Sequence, residues 1–419
     1  MTDTASPHDS SPPDSIRWIR LSFVDVLGTS CSLTIPAARR HEATSSGVVF
    51  DGSALQGPAR YLETDMRLRA DESTLVELGD GEARVTCTVL TPNGRPWAGD
   101  PRAALQRAIE LAGEEGEGYT VSAELEFYLL DAHGEPLDHG GYFDGRRTLG
   151  WQITRAAAAE LEAHGIGIGS CHHEDGPGQY EIGLLAQPAL VLADSLVIAK
   201  ESIRRVAAAE GVRATFMARP LSGHPGSGLH LHQRSPDLVD DGGELTGVGR
   251  LFVAGQLAHA PALAALASPT VNSFRRLHAG HEAPSSAIWS TANRSALIRV
   301  NHLGGPESSI EFRGADPMAN PYLVIAALLT TGLAGVEEEL ELPAPTDEGT
   351  GFDPSSARRY EPLPRTLDEA LDALGHDDVL VDLFDPVLLT NLIDGRRSDL
   401  ESFRSHVTSW ERDRYLDEA

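Results

Sequence analysis

Four short stretches of this chain set two metal- or phosphate-competent side chains two residues apart, with an apolar residue between them. They are Glu124 and Glu126 in VSAELEFYLL, Gln179 and Glu181 in GQYEIGL, His230 and His232 in GLHLHQ, and Glu311 and Arg313 in SIEFR. Residues i and i+2 of a β-strand share a face, so each pair is expected on one side of a sheet. Leu125 and Phe127, Tyr180 and Ile182, Leu229 and Leu231, and Ile310 and Phe312 then turn towards a hydrophobic core. Any one pair alone is equally the solvated face of an ordinary half-buried strand. With the His172, His173, Glu174 run they supply five carboxylates and at least one imidazole. Such a set, poor in nitrogen and without thiolate, suits magnesium or manganese better than zinc.

The elements that must position these groups follow from punctuation along the chain. The first 15 residues are polar and rich in Pro and Ser, and read as a disordered tail without a secretory signal. From Ile16 to about residue 99, β-type runs (WIRLSFVDVLG, CSLTIP, RVTCTVL) alternate with Gly- and Pro-bearing turns and show no long helical period, which predicts a small, mostly β N-terminal domain. Asp100 before Pro101 reads as an N-cap opening DPRAALQRAIELAG and a second domain, residues 100–419. In that domain the paired strands alternate with helical segments (WQITRAAAAELEAHG, ADSLVIAKESIRRVAAAEG, NPYLVIAALLTTGLAG), an α+β pattern. Asn320 to Tyr322 is expected to cap and start the last of these. The Pro-, Gly- and acid-rich stretch from Glu341 to Pro364 is expected to be a surface connection.

At 419 residues and 41% hydrophobic content the chain can bury a sizeable core. Its net charge of -28 argues against nucleic acid or an anionic membrane surface as a partner. The longest apolar stretch, around Leu323 to Gly335, is shorter than the ~20 residues that cross a bilayer, and a cytoplasmic protein is expected. Cys31, Cys87 and Cys171 are too scattered for a disulfide framework and are expected as buried free thiols.

The ordered series DGSALQG, ELEFYLLD, HHEDGPGQYEIG, GSGLHLH, NSFRRLHAGHEAP, NRSALIR and IEFRGADPMANPY resembles the glutamine synthetase family from about Ile16 to the C-terminus. The resemblance implies a β-grasp-like N-terminal domain, a glutamine synthetase-type catalytic domain, and a homo-oligomer of stacked hexameric rings, a dodecamer, with sites shared between subunits. It implies one metal held by Glu126, Glu174 and Glu181 and a second by Glu124, His230 and Glu311, as Mg2+ or Mn2+, with ATP as co-substrate. Arg294 and Arg299 match phosphate-facing arginines, His232 matches a residue that contacts ATP, and Arg276 and Arg313 match those that grip the amino-acid substrate and the transferring phosphate. Guanidinium suits these tasks because it stays charged and holds carboxylate or phosphate through two parallel hydrogen bonds. Asp51, Tyr142 and Glu282 resemble the groups that form an amine pocket and cover the site, where acidic and phenolic groups bind ammonium and help to remove its proton.

Several positions depart from the family pattern. Ala54 stands where ammonia-using members usually carry a second serine, Pro225 where an asparagine helps to hold glutamate, and Pro306 and Ser309 where basic residues lie near ATP. Trp289 and His281 replace common tyrosines, as in relatives that join glutamate to organic amines. The reaction implied is ATP-dependent ligation of the glutamate γ-carboxylate to ammonia or a primary amine through γ-glutamyl phosphate. Glutamine synthetase itself is the leading alternative, and an inactive structural or regulatory member is another, against which the intact ligand set argues.

Overall fold

The computed structural model describes residues 16–55, 65–240, 242–277, 283–301, 308–346 and 360–418, apart from the side chain of Ala54. Glu282, His281 and Pro306 lie outside the described residues, as does the centre of the acid-rich stretch. The chain divides into two compact units, Met1–Asp25 with Thr29–Asp100, and Val26–Gly28 with Pro101–Ala419.

In the first unit, β1 (Trp18–Val24), β2 (Ser30–Pro36), β3 (Val48–Asp51), β4 (Asp65–Ala70), β5 (Val76–Gly79) and β6 (Glu82–Leu90) form one sheet of order β2-β1-β6-β4-β3, with β5 also on β6. β1 and β6 run parallel and the other pairs antiparallel. Ile19, Leu21, Ile35, Val48, Leu68, Val85 and Val89 make the core under it. The three strands missed in the sequence, β3 to β5, are short, at 4, 6 and 4 residues. In β4 only Met66 and Leu68 are buried, between Asp65, Arg67 and Arg69.

The second unit is built on β7 (Thr120–Leu130), β8 (Ile168–His173), β9 (Gln179–Pro188), β10 (Arg213–Thr215), β11 (Leu229–Arg234), β12 (Trp289–Ser290), β13 (Ile298–Asn301) and β14 (Ser309–Phe312). Their order is β12-β13-β14-β11-β7-β9-β8, with β10 also on β7. Leu125, Phe127, Tyr180, Ile182, Leu229, Leu231, Ile310 and Phe312 are all at most 1% exposed, so the period-two alternation does separate an apolar from a polar face. Helix Ala189–Ala209 packs on β7 and β9, and helix Pro321–Glu337 packs on it in turn. Among the described residues no single helix is long and apolar enough to cross a membrane.

Local chemistry sets the helix starts. Pro101 and Pro321 each occupy a first helical position, where proline's missing N–H costs nothing. The Asn320 side chain accepts from Tyr322 N as the expected cap. The Asp100 carboxylate accepts from Val89 N at 2.9 Å. Two expectations need correction. Helix Ala189–Ala209 starts four residues before the expected segment, with Pro188 at its N-cap. Only Cys87 is buried, while Cys31 and Cys171 are partly exposed. The described ends of the expected surface connection are mostly exposed and are tied to the body by backbone bonds: Thr346 N donates to Trp289 O at 2.9 Å, and Leu363 N to Ser285 O at 3.0 Å.

A buried ion pair braces this unit from behind the sheet. Arg102 holds Asp194 through two nitrogens, at 2.8 Å from Nη2 and 3.0 Å from Nε, and the Tyr322 hydroxyl donates to the same carboxylate at 2.6 Å.

Candidate active site

Register carries the paired side chains into one row across the polar face. Arg299 lies opposite Glu311, Glu311 opposite His232, His230 opposite Glu124, Glu126 opposite Glu181, and Glu181 opposite His172. Directly opposed residues on neighbouring strands stand about 5 Å apart, close enough for their side chains to interact. The row therefore runs unbroken from β13 to β8.

Two donor clusters result. In one, a ligand atom from each of Glu124, His232 and Glu311 lies within 4.8 Å of the others, and in the second the same holds for His172, Glu174 and Glu181. His230 joins the first cluster, with Nδ1 2.7 Å from Glu124 Oε2 and 3.7 Å from Glu311 Oε1. Its Nε2 points to Glu126 Oε1 at 3.9 Å, so it stands between the two clusters. Glu126 is held by Gly228 N at 2.9 Å and Gln179 Nε2 at 3.0 Å, both on one carboxylate oxygen.

The electrostatics differ between the clusters. Burial and then the neighbouring charges of Glu174 and Glu181 push the Glu126 carboxyl well up, partly offset by Arg276 and the Gly228 N–H. Burial and Glu181 raise Glu174 to about 7. Across the row, burial would raise Glu311, but Arg313, His232, His230 and Arg299 hold it at about 2. Burial and then Arg313 lower His230 and keep its ring neutral, the form that binds metal. Three mutually repelling carboxylates, Glu126 and Glu181 buried and Glu174 partly so, are relieved by a cation between them. The oxygen-rich donor set with imidazole and no thiolate fits Mg2+ or Mn2+.

Arginines close the row. Arg299 Nε lies 2.6 Å from Glu311 Oε2, and Arg313 Nη1 2.5 Å from Glu311 Oε1. Arg276 is buried, its Nη2 donating to Arg313 O at 3.1 Å. A cavity of 380 Å³ opens between Arg276, Arg294, Arg313, Glu126, Glu174 and Tyr142. Tyr142 is 47% exposed there, with its ring edge-on to His172. A second cavity, of 560 Å³, lies past Glu124 along His232, Arg234, Arg299 and Asn301.

The expected residues Glu124, Glu126, Glu174, Glu181, His230, His232, Arg276, Arg294, Arg299, Glu311, Arg313 and Tyr142 thus line one continuous face and its cavities. Asp51 belongs to the other unit, where its carboxylate accepts from Ser53 N. Sequence reasoning named His172 only within its run and gave it no ligand role, yet its Nε2 is 3.2 Å from Glu181 Oε1; it left out Asn301, whose amide donates to Glu311 Oε2 at 3.2 Å. The i, i+2 rule that paired the other residues also pairs Asn301 with Arg299. Of the departing positions, Pro225 lines the smaller cavity and its carbonyl accepts from Tyr128. Buried Ser309 sits 3.3 Å from His232 Nδ1, and the Trp289 indole donates to Pro343 O.

Residues 98–415 match the model of the glutamine synthetase catalytic domain, and residues 15–92 that of the glutamine synthetase beta-Grasp domain. The chain is 38% identical to a glutamine synthetase of Thermotoga maritima, over 96% of this chain and 97% of that one. It is 36% identical to one of Halobacterium salinarum, over 98% and 95%, and 37% identical to one of Mycobacterium tuberculosis, over 96% of each. A solved structure of a GmaS/ADP complex superposes with a TM-score of 0.88 at 27% identity, covering 96% of this chain and 97% of that one. GmaS without ligand gives 0.86 at 28% identity, with the same coverage.

Proposed function

Because the chain belongs to the glutamine synthetase family of ATP-dependent ligases, we propose that it joins the γ-carboxylate of glutamate to a primary amine or ammonia. The observation that carries this reading is the unbroken row in which two donor clusters meet four arginines beside two cavities. A hydrolase would need the metals but not the arginine array.

In this reading Glu126, Glu174 and Glu181, with His172 beside them, hold one cation, and Glu124, His230 and Glu311 the other. Bound Mg2+ or Mn2+ would neutralise phosphate oxygens and polarise the γ-phosphoryl group. The nucleotide lies along the larger cavity, with His232 and Arg299 at its phosphate end. Glutamate occupies the smaller one, its carboxylate gripped by Arg276. A γ-carboxylate oxygen attacks the γ-phosphorus, the bond to the ADP oxygen breaks, and γ-glutamyl phosphate forms. Arg294 and Arg313 face the charge that develops on the phosphoryl oxygens. The amine nitrogen then attacks the acyl carbon, phosphate leaves, and the nitrogen's proton passes to Glu282, with Asp51 and Tyr142 completing the amine pocket. Asp51 serving a neighbouring subunit, in a dodecamer, is part of the same proposal and rests on the family resemblance.

Glutamine synthetase itself remains a second reading, favoured by the name that the relatives at 36 to 38% identity carry. The test is ADP release with glutamate, Mg2+ and a panel of amines including ammonia. ADP formation that requires both glutamate and an amine is expected, and ATP turnover indifferent to glutamate would overturn the proposal.

A further inference from the structure

Two of the three carboxylates in the Glu126, Glu174, Glu181 set stand inside strands, where ladder hydrogen bonds fix their backbones. Glu174 does not, since β8 ends at His173. Its N–H donates to Gln179 O of β9 at 2.8 Å, which leaves its carbonyl to be held by a group beyond the sheet against the repulsion of its neighbours.

We propose that Asp138, a residue remote from the reacting atoms, is the positioning residue that locks Glu174 in place through His173, and that the same carboxylate ties down the loop bearing Tyr142. Asp138 lies between β7 and helix Leu149–Ala163, and its side chain is 9% exposed. Its Oδ1 is 2.7 Å from His173 Nε2 and accepts from Gly140 N at 3.1 Å and Gly178 N at 3.2 Å. Its Oδ2 accepts from the Tyr180 hydroxyl at 2.5 Å and from Thr148 Oγ1 at 3.2 Å. One carboxylate thus gathers the loop, the end of β8 and the start of β9.

The relay to Glu174 is short. His173 Nδ1 lies 2.6 Å from the Glu174 carbonyl oxygen, and that oxygen can only accept. The ring therefore donates to Glu174 on one side and meets Asp138 on the other. On the loop side the fit is equally close. A Cβ added at Gly140 would stand 2.4 Å from His173 Nε2, so only glycine lets the loop pass. Phe143 N donates to His173 O at 3.0 Å, holding Phe143 at φ 58°, a left-handed conformation unusual for a bulky residue. Tyr142 is fixed between these two anchors. Groups that orient metal-holding residues in this way typically change metal affinity ten- to a hundredfold when removed.

The inference rests on reading Glu126, Glu174 and Glu181 as ligands of one metal, and the experiment separates the two claims. Mn2+ binding to the metal-stripped full chain is followed by the electron spin resonance signal of free Mn2+, for the natural protein, Glu174→Ala, Glu311→Ala and Asp138→Asn. Two classes of site are expected, one lost in Glu174→Ala and the other in Glu311→Ala. Asp138→Asn should weaken the first class about ten- to a hundredfold and leave the second within twofold. If Asp138→Asn does not fold, His173→Gln breaks the same relay and should give the same selective loss. Equal weakening of both classes, or no weakening of either, overturns the positioning role while leaving the metal reading intact. Retention of both classes in Glu174→Ala overturns the metal reading and the relay together.

Discussion

Gly228→Ala separates the stability of the fold from the geometry of the site. A methyl group there would start 2.7 Å from His230 Nε2, 2.9 Å from Arg276 Nη2 and 3.1 Å from Glu126 Oε1. All three are ends of side chains, and none is backbone. Ordinary contact begins near 3.4 Å, so the His230 nitrogen must retreat about 0.7 Å and the Arg276 nitrogen about 0.5 Å unless the strand itself moves. The backbone at Gly228 has no positive φ to forbid alanine, and the mutation also removes freedom from the unfolded chain, so stability should change by less than about 1 kcal/mol. Catalytic groups tolerate far less: a 1 Å misplacement can cost a hundredfold, and 0.5 Å is about the limit of productive geometry. Gly228→Ala should therefore lower kcat/KM for ADP release about ten- to a hundredfold, some 1.4 to 2.8 kcal/mol of transition-state stabilisation. Its melting temperature should stay within about 4 °C of the natural protein. A folded Gly228→Ala protein with unchanged kcat/KM would show that His230, Arg276 and Glu126 do not act as one set.

Four further outcomes follow from particular contacts. Asp194→Ala removes the carboxylate that pairs with buried Arg102 and should cost about 3 to 5 kcal/mol in urea unfolding, whereas Tyr322→Phe, which removes one hydrogen bond to that carboxylate, should cost about 1.5 to 3 kcal/mol; equal small losses would refute the buried-pair account. Because the Glu311 carboxyl is held at about 2, below its ordinary 4.5, its stabilisation is present above pH 4.5 and lost as pH falls from 4.5 towards 2. Unfolding of the metal-free protein should show this acid loss more strongly in the natural chain than in Arg313→Ala, and identical slopes would discount the arginine. In the acceptor pocket implied by resemblance, Ala54→Ser should shift the kcat/KM ratio about ten- to a hundredfold towards ammonia over a small primary amine, the effect of a regained hydrogen bond to a charged group of about 1.5 to 3 kcal/mol; an unchanged ratio removes this position from acceptor choice. Mixing Asp51→Ala chains with Arg313→Ala chains should restore part of the activity if subunits share sites, and co-assembled but inactive mixtures would count against sharing.

Much of the site was legible because β-strands report their faces locally. In β7, β9, β11 and β14 the charged and imidazole side chains of the site alternate with apolar ones, and burial of Leu125, Tyr180, Leu231 and Ile310 follows directly from that alternation. The family's ordered motifs added the identity of the set. The acceptor-side residue Glu282 is named by sequence alone, since it lies outside the described residues.

Which of these faces adjoin, and in what register, was decided only in the folded chain. Glu124 meets His230 and Glu126 meets Glu181 because β7 lies between β11 and β9. A one-residue slip in either pairing would turn every side chain of the slipped strand to the other face. His172 enters the row because β8 is the next strand beyond β9, and Asp138 matters only because a loop residue far from Glu174 in sequence folds back onto His173. The physical reason is one of range. Alternation depends on neighbours along the chain and can be read there, whereas register and loop closure are set by which non-local pairings bury the most apolar surface and satisfy the most backbone groups at once.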